Sequence, residues 1–487
     1  MYRYLIKLSV VLIGRDLARG VYRNAMYGES NPVGGIGLLL TPIVRLLISV
    51  RGFSSFAAAA REEASQKPTR YDWSQINQSL SSVLELPDVV ISGGRKKTVN
   101  VLVPAFSVNT MSAGFFGVFQ VALMIARHGY HVRLVLFDKF PFSFKSFQDH
   151  LKNYPGLHTL VDEVEVEHIG EKHLLYVSKD DVALATVWYS AYFARKIVQT
   201  LGSGPFIYLI QDYEAAFFPA SSLYSLADAT YEFDYHALVS TKPLYDYLQV
   251  HSRTFGTLAR SGRALWFNNA CAAGISDRAT FLSSKSSQAV RRLAFYCRPT
   301  VSRNMFELGA AALIKAWRTG AFNTGDKWEL YGIGIGQVEI VLGEGVTLRQ
   351  LPRMSLAEYS ETIKTFDVCL SLMASPHPSI TPFDLAGVGA IVITNSYECK
   401  SADYFASISP NIICVSPFMD DIVDGIKSAT ERVRDLSGRW ENARGLHYPR
   451  QWAETWQDEH LRFVERVCGV RTSSEVMDIA SAELFKA

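Results

Sequence analysis

Hydrophobic and polar positions follow a regular pattern from Thr98 onward. Short apolar runs alternate with stretches whose apolar residues recur at helical spacing, which predicts strands and helices in turn. Continuous apolar strands alternating with helices favour a parallel sheet that is covered on both faces. The strands predicted in the first half are Val99–Phe106, His131–Asp138, Glu163–Ile169, Asp181–Trp188, Pro205–Asp212 and Tyr235–Thr241. The clearest helical patterns between them are Gly117–His128, Ser190–Leu201 and Pro243–Val250.

The second half of the chain repeats this alternation. Its predicted strands are Arg292–Cys297, Trp328–Gly332, Val346–Leu351, Asp367–Met373, Ala390–Thr394 and Asn411–Val415. Two doubly wound, Rossmann-like α/β domains are therefore expected, joined near Asn268–Ser286. Such domains carry their ligand groups at the carboxyl ends of the strands, so a cleft between facing domains is the natural site. Helical periodicity in Arg450–Val467 and Glu475–Lys486 predicts helices that follow the second domain.

The first 97 residues do not follow this pattern. Leu5–Ile13 is apolar but short, and no small-residue cleavage pattern follows it cleanly, so a secretory signal is not expected. Ile36–Val50 is interrupted by Pro42 and Arg45 and falls short of the roughly 20 residues that span a bilayer. Two interpretations stay open. The segment is an extension that is packed on the body or partly disordered, or it attaches to a membrane surface, since arginines punctuate its apolar stretches.

Charge and cysteine content narrow the class of protein. The 487 residues include 49 Lys and Arg against 47 Asp and Glu, a net charge of +2, so a nucleic-acid surface is not expected. The six cysteines form no C-x-x-C pair. Four of them (Cys297, Cys369, Cys399 and Cys414) lie in or near apolar runs, where reduced cysteine behaves as a small hydrophobe. This pattern predicts a reducing, cytoplasmic protein without structural zinc.

A two-arginine motif is the most informative segment. The apolar run Leu293–Cys297 ends in Arg298, the chain turns at Pro299, and an amphipathic helix is predicted whose first residues include Arg303. Two permanent cations beside the free N–H groups of a helix N-terminus make an anion site. The planar fork of arginine suits a diphosphate because it can make two parallel hydrogen bonds. An ordinary strand–loop–helix with exposed arginines is the alternative.

Glycines mark two loops at predicted strand ends. Gly114 and Gly117 follow the first strand and allow close backbone approach to a ligand. The spacing is not G-x-G-x-x-G, so a dinucleotide is disfavoured, and a loop that needs small residues for packing is equally expected. Gly332 and Gly334 follow another strand and supply flexible backbone near the same cleft, with a plain tight loop as the alternative.

Two carboxylates follow the apolar strand Phe206–Ile210. Asp212 and Glu214 are candidate catalytic residues, because a carboxylate pair at a strand end can act as a base or hold sugar hydroxyls. Asp212 is expected to act toward a hydroxyl group, as its base or as its orienter. Asp and Glu two positions apart in a loop are also common as turn and cap residues.

A polar loop precedes a helix in the second domain. Thr381 is a predicted N-cap, Pro382 suits the first turn, and Asp384 completes an arrangement like a capping box. Ser379 and Thr381 lie where a helix N-terminus would bind phosphate. Asp384 is expected either to support the cap or to accept the two hydroxyls of a ribose. His377, between two prolines, is a candidate catalytic residue, with a solvent-facing loop histidine as the alternative.

These residues together resemble the retaining, family-4-like GT-B glycosyltransferases. Arg298 and Arg303 are similar to the Arg…Lys pair that binds the donor diphosphate, and Asp384 lies where those enzymes place the second Glu of E-x7-E, which contacts the ribose. A closer resemblance is to the WsaF-type rhamnosyltransferases, over about residues 98 to 470. The motifs that carry it are Ile210-Gln-Asp-Tyr-Glu, Ala227-Asp-Ala-Thr-Tyr, Phe295-Tyr-Cys-Arg-Pro with Phe306-Glu-Leu-Gly, Ser371-Leu-Met with Ser375-Pro-His-Pro-Ser, and Val392-Ile-Thr-Asn-Ser-Tyr-Glu.

The resemblance implies a GT-B fold and a set of ligands. Residues 98–268 with 450–487 would form the acceptor-side domain, 269–449 the nucleotide-sugar-binding domain, and 1–97 an extension outside the resemblance. The donor would be a dTDP-activated deoxysugar, often dTDP-L-rhamnose. The acceptor would be a hydroxyl of a surface polysaccharide or lipid-linked glycan. No cofactor and no metal held by an Asp-x-Asp sequence are expected, and the chain contains no such sequence.

The chain departs from the family-4 pattern at two points. Pro376 stands eight residues before Asp384, so the first Glu of E-x7-E is missing, and His377 or the amides of its loop would make the sugar contact instead. Trp188-Tyr189 occupies the position of the histidine that follows a first-domain strand in those enzymes. Two other functions stay open: a GT-B-shaped sugar-nucleotide epimerase, and a non-catalytic sugar-nucleotide-binding component of an envelope-assembly complex.

Overall fold

The computed structural model describes residues 72–104, 113–152, 154, 156–343 and 345–469. Two compact units divide the chain, residues 1–79 and 80–487, and the first lies almost wholly outside the described ranges. Both interpretations of the first 97 residues therefore fall mainly outside these ranges, as do the predicted helix Glu475–Lys486 and the loop 105–112. None of the helices in the described ranges combines enough length with enough apolar character to span a bilayer.

Elements of the first half alternate as predicted, with short 3-10 turns between some of them. In chain order they are α1 (Trp73–Leu84), β1 (Asp88–Ile91), β2 (Val99–Val103), α2 (Ala113–Arg127), β3 (Val132–Leu136), α3 (Phe144–Leu151), α4 (Leu160–Glu163), β4 (Glu165–His168), β5 (Leu174–Val177), β6 (Val182–Ala185), α5 (Trp188–Leu201), β7 (Phe206–Ile210), α6 (Ser222–Ala229), β8 (Tyr235–Ser240), α7 (Lys242–His251), α8 (Arg253–Arg260) and β9 (Ala264–Phe267).

The second half continues in the same way. Its elements are α9 (Arg278–Ser286), β10 (Val290–Tyr296), α10 (Phe306–Arg318), β11 (Lys327–Ile333), β12 (Glu339–Gly343), β13 (Val346–Gln350), α11 (Leu356–Ile363), β14 (Val368–Leu370), α12 (Thr381–Gly387), β15 (Ile391–Asn395), α13 (Ala402–Ile408), β16 (Ile412–Val415), α14 (Met419–Arg432), α15 (Leu436–Arg444), α16 (Trp452–Thr455) and α17 (Asp458–Cys468).

Each half is built on its own seven-stranded sheet, so the prediction of two Rossmann-like sheets is confirmed. The first has the order β4-β3-β2-β6-β7-β8-β9 and is parallel throughout. The second has the order β12-β13-β11-β10-β14-β15-β16, with β12 antiparallel to its neighbour. The direction of winding reverses between β2 and β6 in the first sheet and between β10 and β14 in the second. These are the points where doubly wound sheets open a ligand crevice.

Both faces of each sheet are buried. In β2, Val101 belongs to the core on one face and Leu102 to the core on the other, as the two-residue period of a strand requires. In β10, Phe295 and Ala294 divide in the same way. Each fully buried aliphatic or aromatic side chain of this kind stabilises the fold by roughly 1.5–3 kcal/mol. Helix α17 packs Phe463 into a core of the first sheet, so the chain returns there after the second half.

Local predictions failed in two places next to the site. Arg303 does not open α10: it lies on a one-turn 3-10 helix, Ser302–Asn304, and α10 begins at Phe306 after Met305 adopts a left-handed conformation (φ 51°). Thr381 is not an N-cap either, because α12 begins with it and Ile380 occupies the cap position without a side-chain bond. In both places residues with positive φ, Met305 and Ser379 (φ 63°), bend the chain before the helix.

Several strands were not predicted. The parallel pair β1 and β5 forms a separate two-stranded sheet, and β9 and β12 lie at sheet edges. These strands have four or five residues each and are partly exposed, and their apolar runs of three or four residues are too short to identify a strand by periodicity. The predicted strand Asp367–Met373 is shorter in the structure, since β14 ends at Leu370 and the chain leaves the sheet there.

Candidate functional site

Residues from the carboxyl ends of both sheets meet in one polar cluster. Asp212 follows β7 of the first sheet, whereas Ser375 follows β14 and Arg303 follows β10 of the second. The Ser375 hydroxyl donates to Asp212 Oδ1, and Arg303 Nε lies 3.2 Å from Asp212 Oδ2. The two halves are therefore joined at the edges where the sheet topology predicts a ligand crevice.

Asp212 is the centre of this cluster. Its side chain is buried, and Oδ1 also accepts from the backbone N–H of Tyr213 at 2.9 Å. Arg303 stacks on the ring of Phe217, whose centroid is 4.1 Å from the guanidinium carbon. The sequence-predicted residues Asp212 and Arg303 thus contact each other directly, across the two halves.

His377 reaches the first half from the same loop. Its Nδ1 accepts from the backbone N–H of Ser379 at 3.0 Å, and its Nε2 lies 3.3 Å from Ser240 Oγ at the end of β8. Burial is the main cause that lowers the pKa of His377 to about 4, so the imidazole is neutral near pH 7. A neutral ring that accepts at Nδ1 carries its proton on Nε2, which therefore donates toward Ser240.

Glu214 lies behind Asp212 and holds a helix end. Its Oε2 accepts from the backbone N–H of Trp188, the first residue of α5. The pKa of Glu214 is raised to about 8, chiefly by burial, while the Trp188 N–H and Arg303 oppose the rise and Asp212 adds to it. This geometry matches the cap alternative that the sequence left open, and a catalytic part for Glu214 stays a prediction.

Arg298 lies at the end of β10 without a carboxylate partner in the described part of the chain. It donates one long hydrogen bond, from Nη1 to the Tyr296 hydroxyl at 3.3 Å, and its buried Nε has no partner there. Gly334 makes room for it: a Cβ at that position would lie 3.0 Å from Arg298 Cγ and 2.8 Å from the Cys297 carbonyl oxygen, and its φ is 121°. An unpaired guanidinium at a strand end suits an anionic ligand.

The other predicted glycines pack against polar side chains. A Cβ on Gly332 would lie 2.5 Å from Gln350 Oε1, and one on Gly117 would lie 2.5 Å from Gln211 Oε1. Gln211 directly precedes Asp212, so Gly117 contributes to the packing beside the cluster. Gly114 lies in the first turn of α2 and is partly buried.

Asp384 is held by two hydrogen bonds within the protein, and its ribose contact stays a prediction. It is only 2% exposed, and its two oxygens already accept from the Ala272 N–H at 2.7 Å and the Tyr359 hydroxyl at 3.1 Å. Burial raises its pKa to about 7, against the opposing effect of both donors. Asp384 therefore ties α12 to the segment between the sheets. Ser379 precedes α12 and Thr381 is its first residue, and the Thr381 N–H donates to Ser379 Oγ at 3.4 Å.

Seven of the thirteen buried side-chain atoms without a hydrogen-bond partner in the described ranges lie at or next to the carboxyl ends of strands. Such atoms are uncommon in proteins and need a partner such as water or a ligand. The seven are Gln211 Oε1, Thr241 Oγ1, Asn268 Oδ1, Arg298 Nε, Gln350 Oε1, Ser371 Oγ and Thr394 Oγ1. A polar, hydrogen-bonding ligand fits this donor and acceptor set. Within the same ranges, no three His, Cys, Asp or Glu side chains converge so as to hold a metal ion.

Four residues of the site were not singled out from the sequence. Ser375 and Ser240 contact Asp212 and His377, and Asn395 and Lys400 hold the loop that carries Ser375 and His377. Serines carry no distinctive pattern, so these contacts could be found only from the structure. Lys400 lies in a polar run after β15, and nothing in the neighbouring sequence indicates that it is buried.

Two Rossmann-like sheets that meet at their carboxyl ends around one polar cluster define the GT-B class of fold. The chain belongs to the WsaF family: the family models described as "WsaF, N-terminal domain" and "WsaF, C-terminal domain" match residues 98–241 and 291–427. The resemblance to this family found in the sequence is thereby confirmed.

Three individual proteins that resemble this chain share at most 30% sequence identity with it. The "O-antigen biosynthesis protein RfbC" of Myxococcus xanthus is 30% identical over 318 residues, which are 62% of this chain and 22% of that protein. The chain thus spans about a fifth of its relative's length. Among solved structures, Anabaena Alr3699/HepE in complex with UDP-glucose is 12% identical (79% of this chain, 100% of that chain, TM-score 0.47), and WaaG, a glycosyltransferase involved in lipopolysaccharide biosynthesis, is 13% identical (76% and 100%, TM-score 0.44).

Proposed function

We propose that this protein is a glycosyltransferase that moves a sugar from a nucleotide-diphosphate donor to a hydroxyl of a growing surface polysaccharide or lipid-linked glycan. The sugar is a deoxysugar, L-rhamnose, carried by dTDP. Membership of the WsaF family supports this proposal, and the name of the Myxococcus relative is consistent with an envelope polysaccharide. The observation that carries it is Arg298, a guanidinium without a carboxylate partner in the described ranges at the point where the second sheet reverses its winding.

Donor binding follows from the charges of the second half. Arg298 and Arg303 bind the diphosphate, while Ser379 and Thr381 supply neutral donors beside it. Arg303 must then exchange its contact with Asp212, 3.2 Å away, for a phosphate oxygen. In this proposal the ribose hydroxyls share Asp384 with Tyr359, which requires a small shift of that hydroxyl.

Transfer requires that negative charge growing on the leaving diphosphate be stabilised. In this proposal the arginines supply that stabilisation without a metal ion, once Arg303 has exchanged Asp212 for the diphosphate. Asp212 acts on the acceptor hydroxyl as base or orienter, since it ends a strand of the first sheet. His377 is neutral and has one N–H at Nε2, so it can donate a hydrogen bond to a sugar oxygen in the place of the missing glutamate.

The protein acts in the cytoplasm, at the inner face of the membrane if residues 1–97 bind lipid. The test is a thermal-shift panel with dTDP, UDP and GDP, followed by sugar transfer from the matching donor. We expect dTDP to raise the melting temperature most, and Arg298→Ala to reduce that shift. Arg292→Ala is the matched control, because Arg292 lies on the same strand but already pairs with Glu329 at 3.2 Å. No shift with any nucleotide would contradict the proposal.

A further inference from the structure

The loop between β14 and α12 carries Ser375 and His377 but has no regular structure of its own. Its position therefore depends on what holds its first residues. The side-chain amide of Asn395 makes two hydrogen bonds to the backbone of Met373. The Met373 N–H donates to Asn395 Oδ1 at 2.7 Å, and Asn395 Nδ2 donates to the Met373 carbonyl oxygen at 3.2 Å. A side-chain amide here replaces the backbone pairing that ended with β14.

Lys400 holds the same peptide. Its Nζ donates to the Met373 carbonyl oxygen at 2.6 Å, and both Asn395 and Lys400 are 0% exposed. No carboxylate lies within ion-pair distance of Lys400 in the described part of the chain, and burial lowers its pKa to about 7. Burying a lysine without a counter-ion costs free energy of folding. A buried lysine of this kind therefore suggests a role at the neighbouring site.

The held peptide leads directly into the site. The next amide, Ala374 N–H, donates to the backbone carbonyl of Arg303 at 2.7 Å. One residue further on, Ser375 reaches Asp212, and His377 follows two residues later. Any change in the direction of the Met373 peptide would therefore move both side chains together.

We propose that Asn395 and Lys400 are positioning residues that clamp the Met373 peptide and thereby set where Ser375 and His377 lie. This inference rests on the proposed function, because it concerns the reaction at that site. Neither residue touches a substrate. A misplacement of about 1 Å in a catalytic group costs on the order of 100-fold in rate, so loss of either clamp residue should lower kcat by about that factor with a smaller change in dTDP affinity.

The chain offers a matched control for each residue. Asn411 is also 0% exposed and donates from Nδ2 to a backbone carbonyl, that of Arg439, at 2.9 Å. Lys285 is 1% exposed, donates to the carbonyl of Phe366 at 2.8 Å, and also has a pKa lowered to about 7 by burial, but unlike Lys400 it lies 3.4 Å from a carboxylate oxygen, that of Asp367. Neither control contacts the loop. We therefore compare Asn395→Leu with Asn411→Leu and Lys400→Met with Lys285→Met, in the full-length protein.

The expected result is a loss of melting temperature in all four variants but a loss of kcat only in Asn395→Leu and Lys400→Met. In a His377→Ala background, Asn395→Leu should slow transfer by clearly less than about 100-fold, because one of the two side chains that it positions is gone. Equal kcat in Asn395→Leu and Asn411→Leu, or full additivity with His377→Ala, would overturn the proposal. Asn395→Ser is the milder variant if the leucine substitution prevents folding.

A second readout does not depend on activity. With ¹³C-labelled histidine, NMR titration should show the pKa of His377 near 4 in the wild type and closer to the ordinary 6.5 in Asn395→Ser, with no change in Asn411→Ser. Asn395 is the residue to use, since Lys400 itself lowers the pKa of His377 through its charge. Absence of nucleotide binding in the wild type would contradict the proposed function. An unchanged pKa of His377 in Asn395→Ser would contradict the proposed positioning role of Asn395.

Discussion

Replacing Asp212 with asparagine removes one negative charge from the contact that joins the two halves of the protein. The shape of the side chain is kept, so its amide oxygen can still accept from Ser375 and from the Tyr213 N–H. What is lost is the charge that faces Arg303 Nε at 3.2 Å, in a place where both side chains are mostly buried. The perturbation therefore separates the electrostatic role of Asp212 from its packing.

Two effects of opposite sign are expected. A positioned general base typically contributes about 10²–10⁴-fold to rate, so Asp212→Asn should lower the rate of transfer by at least about 100-fold. Arg303, no longer held by a carboxylate, becomes more available to the diphosphate. A charge-assisted contact is worth about 1.5–3 kcal/mol, so dTDP affinity should be kept or should rise, by at most roughly 10–100-fold.

The assay pairs calorimetric titration of dTDP with transfer rates at saturating donor. Asp246→Asn is the matched control, because Asp246 forms an exposed ion pair with Lys242 at 2.6 Å on the first half and lies outside the cluster. A variant with full transfer would refute the role of Asp212 in the reaction. Weaker dTDP binding would refute the exchange of Arg303 between Asp212 and the diphosphate.

Three further predictions follow from the same geometry. Arg298→Ala should weaken dTDP binding by about 10–100-fold, from the loss of one charge-assisted contact, and should lower kcat by more than it weakens ground-state donor binding, as calorimetry and transfer rates will show. EDTA should leave transfer unchanged, and a chelator-sensitive rate would contradict a mechanism that depends on the arginines alone. Asp384→Asn should raise the melting temperature at pH 8 but not near pH 4: the folded-state pKa of about 7 lies above the ordinary 3.8, so the wild-type carboxyl loses stability as pH rises through that interval. Equal melting temperatures of both proteins at pH 8 would show that burial of this carboxylate is not costly.

The sequence predicted the inner strands of both sheets, because each is a short and mostly apolar run. Val99–Val103 and Ile391–Asn395 are buried at every position, and the shortness of these runs favours a strand over a helix. Edge strands such as β12 escaped prediction because only one of their faces is buried. The bends at Met305 and Ser379 were not predicted either, because positive φ in residues other than glycine leaves no pattern in a sequence.

For the site, the sequence by itself determined which strand ends carry charge, and thus placed Arg298, Arg303, Asp212 and His377 at the cleft. Parallel strands align their carboxyl ends along one edge, so this follows from order alone. Only the tertiary structure decided which of these groups meet. The contact of Arg303 with Asp212 and the placing of Asp384 against Ala272 depend on how the two sheets face each other. The low pKa of His377 depends on burial by residues distant in the sequence, which no local pattern contains.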